Sequence, residues 1–188
     1  MRGSADYIGI NHYSTFYVYR NESVDDEYES PSFMDDLGVK LYQLPEWQIG
    51  ESKFTMVVPW GFYKLLTRIR ENYNNPPVFI SENGFASLGG LNDTDRVIYY
   101  KTYLSALLDA VEEGSTIRAY TAWSLMDNFE WLHGYRERFG LYEVDYTSPH
   151  RTRRPRKSAY FYKHTLKTRT LDINYEPKIC LPTVTDNC

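Results

Sequence analysis

Val78-Phe79-Ile80-Ser81-Glu82-Asn83-Gly84-Phe85 is the stretch on which the reading of this 188-residue chain turns. Pro76 and Pro77 precede three apolar residues, the pattern of a short buried strand, and the strand ends on a carboxylate followed by Asn-Gly, a turn signal. In parallel α/β proteins, side chains at the C-terminal ends of strands leave a rigid element and face a crevice, which is where chemistry collects. Taken alone, the eight residues are also satisfied by Glu82 in a solvated loop. The flanking sequence separates the two readings.

Downstream, after a glycine-rich loop, Val97, Tyr100, Leu104, Leu107, Leu108 and Val111 repeat at helical spacing and predict a helix over 95–113. Asn92-Asp93-Thr94 offers caps at its start and Gly114 stands at the expected C-terminal position. Residues 117–123 then alternate as a third strand and run into Ser124-Leu125-Met126-Asp127-Asn128-Phe129-Glu130-Trp131. A small extended piece is expected over 141–146, and a last helix around Ala159, Tyr162 and Leu166. The basic run Arg151, Arg153, Arg154, Arg156, Lys157 reads as a solvated loop, since neither interleaved aromatics nor a positive net charge supports a phosphate binder.

Upstream, Phe62, Leu65, Leu66 and Ile69 predict an amphipathic helix over 59–73, with Pro59 suited to its first turn and Asn74-Asn75-Pro76-Pro77 ending it. Ala5-Asp6-Tyr7-Ile8-Gly9-Ile10-Asn11 reads as a first strand stopping at Asn11-His12-Tyr13. Between them, residues 14–53 carry Asp25, Asp26, Glu27, Glu29, Pro31 and Pro45 without a sustained period, and an acidic, solvated connection is expected.

Strands alternating with helices imply parallel pairing and right-handed crossovers, so every strand's C-terminal end falls on one face. All three polar constellations then land together. Three parallel strands leave two unpaired edges, which predicts that this sheet is part of a larger one.

Composition sets the outer limits. Hydrophobic residues make up 42%, charged residues 24%, and the net charge is -4, which gives no reason to expect nucleic acid or an acidic membrane surface as partner. No apolar run reaches the roughly 18 residues of a membrane helix. Aromatics reach 16%, with 18 tyrosines, and rings with a polar edge suit both cores and sugar sites. Cys180 and Cys188 are the only cysteines; a short disulfide loop and two free thiols are both open. Asn21-Glu22-Ser23 and Asn92-Asp93-Thr94 are glycosylation sequons, relevant only in a secreted protein.

Asn11-His12-Tyr13, Ile80-Ser81-Glu82-Asn83-Gly84 and Trp123-Ser124-Leu125-Met126-Asp127-Asn128-Phe129-Glu130-Trp131, with Gly134-Tyr135 and Arg138-Phe139-Gly140-Leu141, together resemble family 1 glycoside hydrolases, in order and with family-like spacing. The resemblance implies an α/β fold: a partial (β/α)8 TIM barrel comprising roughly its last three units, strands six to eight, over residues 1–170, followed by an irregular tail over 171–188. By that resemblance Glu82 matches the nucleophile of a retaining glycosidase, and Tyr13 the tyrosine that orients it. Asn11 matches a contact to the sugar hydroxyls, Glu130 the acceptor of two hydroxyls at the far end of the ring, and Trp123, Trp131 and Phe139 the walls of the sugar subsite. Core packing is the competing use of those three rings. Phe54 stands where the family usually has a tryptophan platform for the leaving group.

The resemblance implies retaining hydrolysis of β-glycosides, a neutral hexose in the site because of Glu130, the secretory pathway, and neither cofactor nor metal. A double displacement needs two carboxyl groups about 5 Å apart and water. The family's general acid/base lies in an Asn-Glu-Pro motif after strand four, and these 188 residues contain no Asn-Glu-Pro. The expectation is therefore the nucleophile half of a β-glucosidase-like site, with little or no activity alone. The alternative is a non-catalytic sugar-binding or interaction module of the same descent.

Overall fold

A computed structural model describes residues 4–20, 33–52, 55–87 and 90–179; the side chains of residues 34 and 35 are outside that description. Its centre is a parallel three-stranded sheet in the order β1 (Ile8–His12), β4 (Val78–Asn83), β5 (Ile117–Ala122). The Glu82 strand lies in the middle. Its residues Val78 and Ile80 are buried at 2% and 0% exposure, which is what fixes the register, because a one-residue slip would turn them out. An irregularity between Ile10 and Asn11 sets Asn11 opposite Glu82 and His12 opposite Asn83.

Helix α2 (Pro59–Asn72) lays Phe62, Leu66 and Ile69 against the sheet, with proline in its first turn. Helix α3 (Thr94–Glu112) contributes Tyr99, Tyr100 and Tyr103, all fully buried. Phenols at that depth need partners, and they have them: Asn83 Nδ2 donates to Tyr99 Oη at 2.8 Å, the Val58 amide donates to Tyr103 Oη at 3.0 Å, and Tyr100 Oη donates to the Trp123 carbonyl at 3.4 Å. Helix α4 (Lys157–Thr168) packs on α3 through Ala159 and Phe161. No helix among the described residues is long and apolar enough to cross a membrane.

The connection between β1 and α2, expected to be an acidic, solvated loop, is folded on both sides of its acidic cluster, while Asp25, Asp26, Glu27, Glu29 and Pro31 themselves lie outside the described residues. It holds a short helix, α1 (Phe33–Leu37), and an antiparallel pair, β2 (Tyr17–Arg20) with β3 (Val39–Tyr42). Tyr17 stacks on its cross-strand partner Tyr42 with ring centroids 5.2 Å apart, and also meets Trp47 and Trp60 at 5.4 and 5.8 Å. These long-range ring contacts hold a pair of strands too short to stand alone.

The basic run is solvated at Arg151, Arg153 and Arg154, as expected, but it is not a loop throughout. Arg153–Pro155 forms β7, antiparallel to β6 (Tyr142–Val144), and Arg156 is fully buried. Its guanidinium grips both oxygens of Asp127 at 2.8 Å and donates to the Gly140 carbonyl at 2.6 Å. A second buried guanidinium, Arg96, pairs with Asp93 at 2.8 Å and donates to the same Gly140 carbonyl at 2.6 Å. Burial pushes the Asp93 carboxyl up, against the opposing pull of Arg96 and Ser158. Of the cap candidates 92–94, Asp93 stands at the N-cap of α3, but its carboxylate makes no cap bond and accepts the Ser158 amide at 2.9 Å, in the first turn of α4.

Beyond Thr170 the described residues form no helix or strand, and Glu176 ties them back through Lys101 at 2.8 Å and Lys157 at 3.2 Å. Cys180, Cys188 and the Asn21 sequon lie outside the described residues.

Candidate active site

Parallel strands deliver their polar ends to one place. Asn11 stands one residue before the end of β1 with Tyr13 just beyond it, Glu82 stands near the end of β4, and Trp123 follows β5; all four line a cavity of about 510 Å³. Glu130, Trp131 and Phe139, from the segment after β5, complete the wall. Every expected site residue within the described structure therefore meets at one cavity. Phe54 lies outside the described residues.

The Tyr13 hydroxyl donates to Glu82 Oε2. Burial, reinforced by the hydrogen bond to Glu82 and its charge, raises the phenol far above its ordinary value, so Tyr13 keeps its proton as a donor. Its ring meets Phe139 edge-on at 5.9 Å, which limits rotation about the bond to Glu82. Beside them, Ser81 Oγ donates to Asn11 Oδ1 at 2.7 Å and lies 3.1 Å from the Ile10 carbonyl, which holds the Asn11 amide at the cavity wall.

On the opposite wall, Trp123 Nε1 donates to Glu130 Oε1 at 3.2 Å. Burial raises the Glu130 carboxyl, while hydrogen bonds from Trp123 and Asn128 pull it down and the charges of Glu137 and Glu82 raise it. The Trp123–Ser124 peptide is cis. Gly84 is required here: a Cβ at this position would lie 1.9 Å from the Trp123 carbonyl oxygen. After Glu130 the chain makes a tight 3-10 turn, Trp131–His133, closed by Glu130 N–H on the Gly134 carbonyl at 2.7 Å. That turn holds Trp131 at the rim, 81% exposed.

The cavity also contains residues that the sequence did not single out: Ser14, Phe16, Ser52, Thr55, His133 and Glu137. His133 Nδ1 and Glu137 Oε1 are 3.3 Å apart, and their spacing of four residues was the one signal available. Among the described residues, three glutamates and no lysine or arginine line the cavity. Carboxylate and amide acceptors between aromatic walls suit a polyhydroxyl ring with apolar faces. No group of three or more His, Cys, Asp or Glu among the described residues could hold a metal ion. A larger groove of about 970 Å³ runs outside the sheet between α2 and α3, and it contains none of the residues gathered here.

The family model for glycosyl hydrolase family 1 matches residues 1–171. Lactase/phlorizin hydrolase of Rattus norvegicus is 40% identical over 164 residues, which are 86% of this chain and 8% of that protein. Beta-glucosidase 1 of Oryza sativa subsp. japonica is 38% identical over 179 residues, covering 90% of this chain and 34% of the relative. Among solved structures, the rice Os3BGlu6 beta-glucosidase superposes with a TM-score of 0.80 at 34% identity, over 86% of this chain and 36% of that one. The chain thus spans about a third of the length of the beta-glucosidases it resembles.

Proposed function

We propose that this chain, which belongs to glycosyl hydrolase family 1, carries the nucleophile half of a retaining β-glycosidase site within the last three units of a (β/α)8 barrel. The observation that carries the reading is the Tyr13 hydroxyl bound to Glu82 in a cavity whose far wall is Trp123 and Glu130. A hydrogen bond donated to a carboxylate oxygen holds the side chain in one rotamer, which is what an attacking oxygen needs.

In the proposed reaction a Glu82 oxygen forms a bond to the anomeric carbon as the bond to the leaving oxygen breaks, giving a covalent glycosyl-enzyme. Water then releases the sugar with its configuration retained. Tyr13 keeps Glu82 aimed, Asn11 and Glu130 hold hydroxyls of a neutral hexose, and Trp123, Trp131 and Phe139 enclose its apolar faces. The general acid/base belongs to sequence outside these 188 residues, and the open edges of the three-stranded sheet support a sheet completed by further strands. Residues 1–170 are the barrel portion and 171–188 the tail. The chain alone is expected not to turn over ordinary β-glycosides.

A leaving group that departs without protonation isolates the nucleophile's part. Incubated with 2,4-dinitrophenyl 2-deoxy-2-fluoro-β-glucoside, the chain should release dinitrophenolate once and gain a fluoroglucosyl adduct on the peptide bearing Glu82. An adduct elsewhere, or none on a folded chain, overturns the assignment. The intact cavity also supports a second reading, a sugar-binding module without turnover; saturable binding of glucose with no adduct favours it. Steady hydrolysis of an aryl β-glucoside by the chain, lost in Glu82→Gln, would refute the expectation of inactivity.

A further inference from the structure

Asn92-Asp93-Thr94 carries the acceptor pattern for an N-linked oligosaccharide, and the fold gives its three residues different surroundings. Asn92 is exposed, in the irregular turn between β4 and α3. Asp93 is buried, paired with Arg96 at 2.8 Å and accepting the Ser158 amide at 2.9 Å. Thr94 opens α3, where its Oγ1 donates to Asn92 Oδ1 at 3.2 Å and accepts from Lys157 Nζ at 3.2 Å. Among the described residues, none accepts from Asn92 Nδ2.

This exposure does not come from the open edges of the sheet. The turn leaves the central strand β4, while further strands would join at β1 or β5, on either side of it. What packs on the turn is the start of α4: the Gly90 carbonyl accepts from Arg156 Nε at 3.1 Å, and the Leu91 carbonyl from the Lys157 amide at 2.8 Å. The backbone is thus pinned from within, and the amide side chain is left outside. A bulky, hydrated glycan belongs at such a place. We propose that Asn92 accepts an N-linked oligosaccharide when the chain is made in the secretory pathway. Its Nδ2 forms a bond to the anomeric carbon of the first sugar as that carbon's bond to the phosphate oxygen of a lipid diphosphate donor breaks; Nδ2 gives up one proton. The order of events follows from Asp93. Its bond to Ser158 closes only once the chain 65 residues downstream has been made, so transfer comes first and the closed fold leaves the glycan in solvent. The inference stands apart from the chemistry of the Glu82 cavity.

The full 188-residue chain, carried by a secretion leader in insect cells and read by mass spectrometry before and after peptide N-glycosidase, tests this. Asn21→Gln removes the other acceptor pattern, and that chain should still carry an oligosaccharide, on the peptide containing residue 92. Adding Asn92→Gln or Thr94→Ala should abolish the modification, whereas Thr94→Ser should keep it. The mass is read on cell-associated and secreted chain alike, so a variant that folds poorly still reports. An unmodified Asn92 in the Asn21→Gln chain overturns the proposal. Attachment at an exposed side chain also predicts that the glycosylated chain and its Asn92→Gln counterpart unfold at the same urea concentration. A glycosylated chain that unfolds at lower urea overturns the placement of the glycan in solvent.

Discussion

The hydroxyl of Tyr13 reaches the carboxylate of Glu82 across 69 residues of sequence, joining the ends of two adjacent parallel strands. Glu82 lies within β4, and Tyr13 is the first residue after β1. The contact exists because β1 and β4 are neighbours in register.

Tyr13→Phe removes that donor while keeping the ring against Phe139. A hydrogen bond to a charged group is worth about 1.5–3 kcal/mol, so labelling of Glu82 by the dinitrophenyl fluoroglucoside should slow by roughly 10- to 100-fold. The thermal midpoint should move little. An unchanged labelling rate would mean that Tyr13 does not orient Glu82.

Arg156→Met leaves Asp127, 5% exposed, without its two guanidinium contacts. Stranding one member of a buried ion pair costs about 3–5 kcal/mol, and urea unfolding should register a loss of that order. Asp127→Asn should cost less than Arg156→Met, because its amide oxygen still accepts from Arg156. A loss below about 1 kcal/mol for Arg156→Met would show that water or a rearranged side chain takes over.

Gly84→Ala places a methyl group where only 1.9 Å separates the site of Cβ from the Trp123 carbonyl. Backbone must shift, since no flexible side chain is there to yield. Overpacking of this kind costs typically 1–3 kcal/mol, and glucose binding should fall together with stability because Trp123 carries the cavity wall. A stable variant with parental binding would contradict the close approach.

His12 packs between Phe62 and Tyr103, with centroids 4.8 and 5.9 Å away, and burial pulls its pKa down from 6.5 to about 4. In the window between those values the unfolded chain binds a proton that the folded chain does not, so stability rises with pH there. His12 contributes fully above pH 6.5 and loses about 3 kcal/mol as the pH falls through about 4. Urea melts from pH 4 to 7 should therefore show a slope that His12→Leu lacks. Parallel curves for the two proteins would place His12 in contact with water.

The three main helices and the parallel strands were legible because apolar spacing at Phe62–Ile69 and Val97–Val111 states the helical period, and because Pro76-Pro77 and Gly114 mark ends. The cavity followed from topology: once β1, β4 and β5 are parallel, Asn11, Tyr13, Glu82 and Trp123 have nowhere else to meet. The β2–β3 pair was hidden since Tyr17 and Tyr42 find each other across a stretch of acidic sequence, and no local period reports a cross-strand pair. Arg96 and Arg156 were unreadable for another reason. An arginine is ordinarily solvated, and what buries Arg156 is a carboxylate 29 residues away together with two backbone carbonyls.

Two guanidinium groups converge on the carbonyl of Gly140, whose own amide donates to Asp127 at 3.0 Å. That knot fixes both ends of the excursion carrying Trp123, Glu130 and Phe139, and leaves its outermost ring, Trp131, largely in solvent. A ligand entering the cavity would thus find that excursion already frozen, and the motional freedom surrendered on binding would fall on the exposed side chains Trp131, Phe16 and Asn11. The favourable entropy of an arranged site is set in this protein by arginines that the ligand never touches.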